Sequence, residues 1–132
     1  MTVVVDASAV VAALVDGGAD GEWAQMELGT ADLAAPHLML VEVANILRRA
    51  VLAGDLSSDV ATLAHDDLVR LRVDLFAYEP HAQRVWQLRD NLTAYDAWYV
   101  ALAEALNVPV VTLDRRLAVA SGPTCSFRLP PA

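Results

Sequence analysis

The most constraining feature of the sequence is an aspartate set between a run of β-branched residues and an alanine-rich run. The stretch from Val3 to Val5 is typical of a buried strand, and the stretch from Ala9 to Val15 is typical of a helix. Asp6 therefore lies at a strand–helix junction, and ligands bind at such carboxyl ends of strands in open parallel sheets. A carboxylate among Val and Ala is costly to bury without a positive partner, so this junction is the first candidate for a functional site.

The composition limits the classes of function open to the chain. Its 132 residues predict one domain, spanning residues 1–132. The chain carries 17 acidic residues against nine arginines and no lysine, a formal net charge of −8. A chain this acidic does not bind nucleic acid through its overall electric field. To act on RNA or DNA it needs local arginines and a metal ion.

The distribution of apolar residues and cysteine predicts the compartment. No apolar run approaches the ~20 residues of a membrane span. Asp6 interrupts the apolar N-terminal stretch, and no basic residue precedes it, so a signal peptide is not expected. The single cysteine, Cys125, excludes an internal disulfide and a cysteine-based zinc site. We therefore expect a cytoplasmic protein without a membrane contact, whose hydrophobic fraction of 56% fills a large core or covers a partner-binding surface.

Strand and helix patterns alternate along the chain. Strands are predicted at 3–5, 32–36, 73–78 and 108–112, with an edge strand at 125–129. Helices are predicted at 9–15, 22–28, 37–53, 57–72, 80–89, 93–106 and 114–120. This alternation predicts the α/β class, with a central parallel sheet of four to five strands between two layers of helices.

Glu42 lies in a helix that is apolar nearly all round, from Leu38 to Leu47. A glutamate in that setting must be paired, protonated or bound to a metal. One alternative is an ion pair with Arg49, seven positions on and on roughly the same face. Asn45 lies one turn along and either orients Glu42 or is an ordinary polar residue of the helix.

Asp6 and Asp114 each follow a predicted strand, and either acid alone fits the N-cap of the next helix. Neighbouring strands lie ~5 Å apart, so two such acids repel each other unless one is protonated or a cation joins them. The hydroxyls of Ser8 and Thr112, each two positions from one acid, would support a bound water or make local backbone bonds.

Asp96 has a structural alternative and a functional one. With Thr93 it fits a capping box, in which the acid bonds back to the threonine N–H. Its helix begins at the same edge of the sheet as Asp6. Four caps need not converge, whereas four carboxylates at one edge form an oxygen-only site suited to Mg²⁺ or Mn²⁺. Such a site hydrolyses phosphate esters.

Four segments together resemble the PIN-domain ribonucleases. They are Val5-Asp6-Ala7-Ser8, Glu42 with Asn45, Tyr95-Asp96-Ala97 and Thr112-Leu113-Asp114-Arg115. The short chain is similar to the VapC toxins of bacterial toxin–antitoxin pairs. The resemblance implies a PIN-like three-layer fold and an endoribonuclease dependent on Mg²⁺ or Mn²⁺. It also implies that Asp6, Glu42, Asp96 and Asp114 are the catalytic metal-site acids, supported by Ser8, Asn45 and Thr112.

The same resemblance implies partners. They are an RNA substrate such as tRNA or rRNA, a VapB-like antitoxin that blocks the site, and a second copy in a homodimer. Arg48, Arg49, Arg115 and Arg116 are candidates for contacts with RNA phosphates, and the alternative is that they are ordinary surface residues. Some relatives carry another acid after the last one, but Arg115 and Arg116 stand there in this chain, which argues against a second tightly held metal.

Other classes of protein gather acids at strand ends. A response-regulator receiver needs a lysine, and this chain has none. A haloacid-dehalogenase-like phosphatase carries Asp-x-Asp on its first strand, whereas here Ser8 holds the second position. A Mg²⁺-dependent phosphoryl-handling domain of another kind and a non-catalytic acidic binding module stay open as alternatives. Metal-dependent cleavage of RNA separates these alternatives from the nuclease hypothesis.

Overall fold

The computed structural model describes all residues from Met1 to Ala132 and contains five strands in one parallel sheet. The strands are β1 (Thr2–Val5), β2 (Asp32–Pro36), β3 (Asp74–Phe76), β4 (Val110–Val111) and β5 (Phe127–Arg128). Their spatial order is β3-β2-β1-β4-β5, and every neighbouring pair is parallel. The predicted α/β class and the parallel sheet are confirmed.

Seven helices connect these strands. They are α1 (Ala7–Val15), α2 (Ala19–Gly29), α3 (Met39–Leu52), α4 (Ser58–Arg70), α5 (Ala82–Gln87), α6 (Ala94–Leu106) and α7 (Arg115–Ala118). Helix α1 packs against α2, α3 and α4, whereas α6 packs against α5 and the three central strands. With right-handed crossovers, this arrangement puts α1 to α4 on one face of the sheet and α5 to α7 on the other.

The order of the strands reverses beside β1. The chain moves outward from β1 to β2 and β3, then returns across the sheet to β4 on the other side of β1. Val5 pairs with Val111, and the backbone N–H of Asp6 donates to the carbonyl of Val111 at 3.0 Å. The residues that follow β1 and β4 therefore lie side by side at a topological switch point, where open α/β sheets bind ligands.

The core lies around β1 because helices cover both faces of the sheet. Val3, Val4 and Val5 are fully buried, which explains why this strand is an unbroken apolar run without alternation. On one face α6 is buried over most of its length, and Asn107 ends it in the left-handed conformation (φ 56°). The predicted end of this helix is confirmed.

Some local predictions are wrong in their bounds or burial. The predicted helix at 80–89 is a short 3₁₀ turn, Glu79–His81, followed by α5. Tryptophan side chains are also expected in the core rather than at the surface, and Trp98 is buried, but Trp86 is 66% exposed, with the Arg89 guanidinium 4.5 Å above its ring. A helix this short offers one narrow buried face, and Val85 takes it. None of the helices combines the length and apolar character that a membrane crossing requires.

Candidate active site

Asp6 lies at the switch point and is almost entirely buried, with 8% of its surface exposed. Its Oδ2 atom accepts hydrogen bonds from Ser8 Oγ at 2.8 Å and Thr112 Oγ1 at 2.7 Å. Asp6 occupies the N-cap position of α1, yet its side chain makes no capping hydrogen bond. The capping interpretation of Asp6 is therefore wrong, and its carboxylate is held by hydroxyls from both strand ends.

The two hydroxyls also accept backbone hydrogen bonds. Ser8 Oγ accepts from Leu113 N at 3.0 Å, and Thr112 Oγ1 accepts from Asp114 N at 3.0 Å. Each hydroxyl thus accepts an N–H and donates its proton to the same carboxylate. These bonds join α1 to the segment that follows β4.

Glu42 projects from the first turn of α3, and its hydrogen-bond partner is Tyr99 rather than Arg49. Its Oε1 atom accepts a hydrogen bond from the Tyr99 hydroxyl at 2.6 Å. The ion pair with Arg49 is wrong, because Glu42 forms no salt bridge and Arg49 is exposed. Asn45 is also exposed and makes no side-chain hydrogen bond, so its support of Glu42 stays a prediction.

Asp96 and Asp114 lie at the starts of their helices. Thr93 caps α6 by accepting from Asp96 N at 3.2 Å, but the Asp96 carboxylate does not accept from the Thr93 N–H, so only the threonine half of the predicted capping box forms. Asp114 caps α7, because its Oδ1 accepts from Arg116 N at 3.0 Å and Leu117 N at 3.3 Å. The cap of α7 uses one oxygen of Asp114 and leaves Oδ2 without a hydrogen bond.

Burial and neighbouring charges raise the pKa values of three of the four acids, Asp6, Glu42 and Asp96. Burial raises the pKa of Asp6 above its usual value, the hydroxyls of Thr112 and Ser8 lower it, and the charge of Asp114 raises it again. Burial likewise raises the pKa of Glu42 and that of Asp96, and each is raised further by the charge of Asp6. The carboxyl groups of these three residues therefore lose their protons less readily than exposed ones.

These side chains fit a divalent cation that keeps some of its water ligands better than one bound by protein atoms alone. All four candidate ligands are carboxylates, which suit Mg²⁺ or Mn²⁺. No three acidic, histidine or cysteine side chains lie close enough together to bind one ion directly. Mg²⁺ keeps several waters and needs only one or two carboxylates, so this arrangement fits an ion that retains part of its water shell.

The four candidate arginines differ in their surroundings. Arg48 and Arg49 are exposed on the last turns of α3 and form no ion pair. Arg115 donates through Nη2 to the carbonyl of Pro130 at 2.7 Å, which ties it to the C-terminal segment. The Arg116 side chain is almost fully exposed, and its Nε lies 4.0 Å from Asp114 Oδ1.

Tyr99 is the residue of this region that the sequence analysis missed. It lies in a helix whose apolar neighbours predict a core position, and its ring is indeed buried. One signal was present: Tyr99 follows Asp96 by three positions, so both lie on one side of α6. A tyrosine on the side of a helix that carries a candidate acid is a candidate hydrogen-bond donor to a neighbouring acid.

Comparison with known proteins identifies relatives over nearly the whole chain. The family model described as the PIN domain matches residues 3–123. Ribonuclease VapC1 of Mycobacterium tuberculosis is 46% identical over 127 residues, covering 96% of both chains. Ribonuclease VapC9 of the same organism is 40% identical over 129 residues, covering 98% of both chains.

Solved structures share the fold. A crystal structure of a Pyrobaculum aerophilum protein superimposes with a TM-score of 0.73 at 23% identity, covering 96% of this chain and 83% of that one. A member of the VapBC family of toxin–antitoxin systems from Mycobacterium tuberculosis, VapBC-5, gives a TM-score of 0.59 at 19% identity, covering 99% and 98%. Sequence and fold together show that this chain belongs to the PIN domain family, within its VapC group.

Proposed function

We propose that this chain is a divalent-metal-dependent endoribonuclease and the toxin of a bacterial toxin–antitoxin pair. The observation that carries the proposal is the buried carboxylate of Asp6 at the switch point of the sheet, held by the hydroxyls of Ser8 and Thr112. Membership of the VapC group supports the same chemistry. A non-catalytic acidic module would not need a buried carboxylate at this position.

The same four acids are the proposed binding site for Mg²⁺ or Mn²⁺. Such an ion, when bound, lowers the pKa of a coordinated water and offsets negative charge on the phosphate. Oδ2 of Asp6 and Oε1 of Glu42 accept side-chain hydrogen bonds, and Oδ1 of Asp114 accepts backbone ones. We assign the other oxygen of each of these three acids, together with the carboxylate of Asp96, to the ion or its waters.

The remaining residues hold the acids and the RNA. Ser8 and Thr112 fix Asp6 through the bonds to Oδ2. Exposed guanidinium groups at the rim bind phosphates of the substrate. We assign this role to Arg48, Arg49, Arg115 and Arg116, with Arg116 the least constrained.

The proposed partners follow from the acidity of the site and the exposed apolar surface. A VapB-like antitoxin that inserts an arginine or lysine among the four acids would neutralise them and exclude RNA. Exposed apolar side chains such as Val41, Leu63 and Val69 are available for contacts with the antitoxin or a second copy. The VapBC structure that shares this fold supports the antitoxin, and we propose a cytoplasmic homodimer as the unit that binds it.

RNA cleavage by the purified protein tests the activity. We expect tRNA or rRNA to be cut with Mn²⁺ or Mg²⁺ present, and cutting to stop with excess EDTA or with Asp6→Asn. Asp66→Asn is the matched control, because Asp66 is exposed on α4 and the change alters the net charge equally. Wild-type cleavage by the Asp6 variant, or cleavage in EDTA, would contradict the mechanism.

Growth of cells expressing the protein tests the toxin role. We expect expression in bacteria to arrest growth, Asp6→Asn to relieve the arrest, and a co-expressed cognate antitoxin to relieve it as well. Sequencing of RNA ends from the arrested cells would identify the substrate. Normal growth at a verified level of wild-type protein would contradict the toxin role while leaving the nuclease activity to the assay in vitro.

A further inference from the structure

Tyr99 makes the single hydrogen bond to the side chain of Glu42. Its ring lies inside α6's buried face with 1% of the residue exposed, and its hydroxyl reaches Glu42 Oε1 at 2.6 Å. No arginine, amide or backbone N–H contacts the same carboxylate. The position of the Glu42 carboxylate therefore depends on this phenol.

Packing alone does not explain why this buried position carries a hydroxyl group. A buried phenol oxygen must find a partner, and phenylalanine would fill the same apolar space without that requirement. The Tyr99 hydroxyl meets that requirement by donating to Glu42 Oε1 at 2.6 Å. A donor of this kind favours Glu42 as a carboxylate in one fixed orientation.

The geometry of α6 connects this bond to the rest of the site. Tyr99 and Asp96 are three residues apart on α6, whereas Glu42 comes from α3, which reaches the site separately along the chain. Helix α6 thus supplies one acid directly and holds a second acid through its tyrosine. Oε1 of Glu42 accepts the Tyr99 bond, whereas Oε2 has no hydrogen-bond partner and is the freer oxygen for a further ligand.

We propose that Tyr99 is a positioning residue, which holds the Glu42 carboxylate in the orientation that would ligate a divalent cation and thereby sets the affinity for that cation. This inference rests on the proposed function, because it takes Glu42 as part of a metal site. Partners of metal-binding side chains commonly change metal affinity 10- to 100-fold when they are removed. A hydroxyl that acts on stability alone would leave the affinity unchanged.

Binding of Mn²⁺ to the Tyr99→Phe protein, followed by calorimetry without RNA, tests the role. We expect Mn²⁺ to bind about 10-fold more weakly than to the wild type. The Mn²⁺ concentration for half-maximal RNA cleavage should rise by a similar factor, with a smaller loss of kcat at saturating Mn²⁺. Tyr95→Phe is the matched control, because Tyr95 lies one turn earlier on α6, is 58% exposed and loses the same oxygen.

The double variant Tyr99→Phe/Glu42→Gln tests whether the tyrosine acts through Glu42. Removing the hydroxyl should cause no further loss of Mn²⁺ affinity once Glu42 has lost its charge. Additive losses, or equal affinities of Tyr99→Phe and wild type, would overturn the inference while leaving the proposed function intact. Absence of Mn²⁺ binding by the wild-type protein would overturn both.

Discussion

Asp6 is held by hydrogen bonds that favour its charge in a position where burial opposes it. The hydroxyls of Ser8 and Thr112 donate to Oδ2 and lower its pKa, but burial has the larger effect and leaves the pKa raised. The negative charge of Asp114 adds to the effect of burial. The folded protein therefore loses stability by keeping this carboxylate ionised, as expected of a residue kept for function.

The variant Asp6→Asn should be more stable than the wild type when metal is absent. The amide oxygen can still accept from Ser8 and Thr112, while the buried charge is gone. We expect a gain of about 1 kcal/mol in the free energy of unfolding in EDTA, measured by urea denaturation. The exposed Asp66→Asn control should change the same quantity by under about 0.5 kcal/mol; a less stable Asp6 variant would contradict this account.

At the scale of single residues the sequence predicts a set of candidate acids but not the side chains that contact them. The position of Asp6 follows from an apolar strand that ends before a helix. Its bonding by the hydroxyl of Thr112, 106 residues away, depends on the strand order, which local patterns do not contain. The Tyr99 bond to Glu42 is missed for the same reason, since a buried tyrosine in an apolar helix looks like an ordinary core residue.

Among the elements, α1 and α2 make an unusually close contact at Gly21. A Cβ atom at this position would lie 1.8 Å from the Asp16 carbonyl oxygen and 3.0 Å from that of Ala12, both of them backbone atoms. Only a residue without a Cβ lets the two helices approach this far. The close contact holds the helix that begins directly after Asp6.

The substitution Gly21→Ala should destabilise the fold, because backbone atoms must move to admit the methyl group. We expect a loss of about 2 to 3 kcal/mol in the free energy of unfolding, measured by thermal or urea denaturation. Gly29→Ala in the same helix is the control, since nothing lies within 4 Å of its added Cβ. That change should be neutral or stabilise by up to about 1 kcal/mol; equal effects of the two substitutions would refute the contact.

The succession of helices and strands follows from sequence patterns more completely than their burial does. The terminator Asn107 and the apolar strands are visible locally, and the structure confirms them. Local sequence patterns do not show which side of a short helix will be exposed. Trp86 on α5 shows the limit, because its apolar ring predicts the core while the packing of α5 on α6 leaves it at the surface.

The stability of the whole molecule should depend on pH in opposite ways through the candidate-site acids and through Glu104. The raised pKa values of Asp6, Glu42 and Asp96 mean that their ionisation opposes folding, so this loss of stability disappears as the pH falls through those values. In EDTA we therefore expect the melting temperature to rise as the pH is lowered from 7 toward the usual range of carboxyl pKa values. Saturating Mn²⁺ at pH 7 should reduce that rise, because the ion offsets the same repulsion. A melting temperature that falls over this interval would contradict the prediction.

Glu104 should cause the opposite dependence at lower pH. Burial alone would raise the pKa of Glu104, but the hydrogen bonds from Arg84 and Thr124 outweigh it and leave the pKa below its usual value. Its contribution to stability is present above the usual carboxyl pKa and is lost as the pH falls through the lowered one. Glu104→Gln should cost about 1 kcal/mol at pH 7 after allowance for solvent screening, and its difference from wild type should vanish in acid. Urea denaturation at pH 7 and at pH 3 would measure both values.

Because Asp6 and Thr112 are far apart along the chain, the bond between them also bears on when a growing chain could become active. Asp6 precedes the hydroxyl that holds it by 106 positions, and it precedes the acid that follows β4 by 108. A nascent chain therefore lacks the proposed metal site until Thr112 and Asp114 have been made. An inhibitor synthesised at the same time has that whole interval in which to be ready, and we expect a message broken before the codon of Thr112 to yield a product without this site.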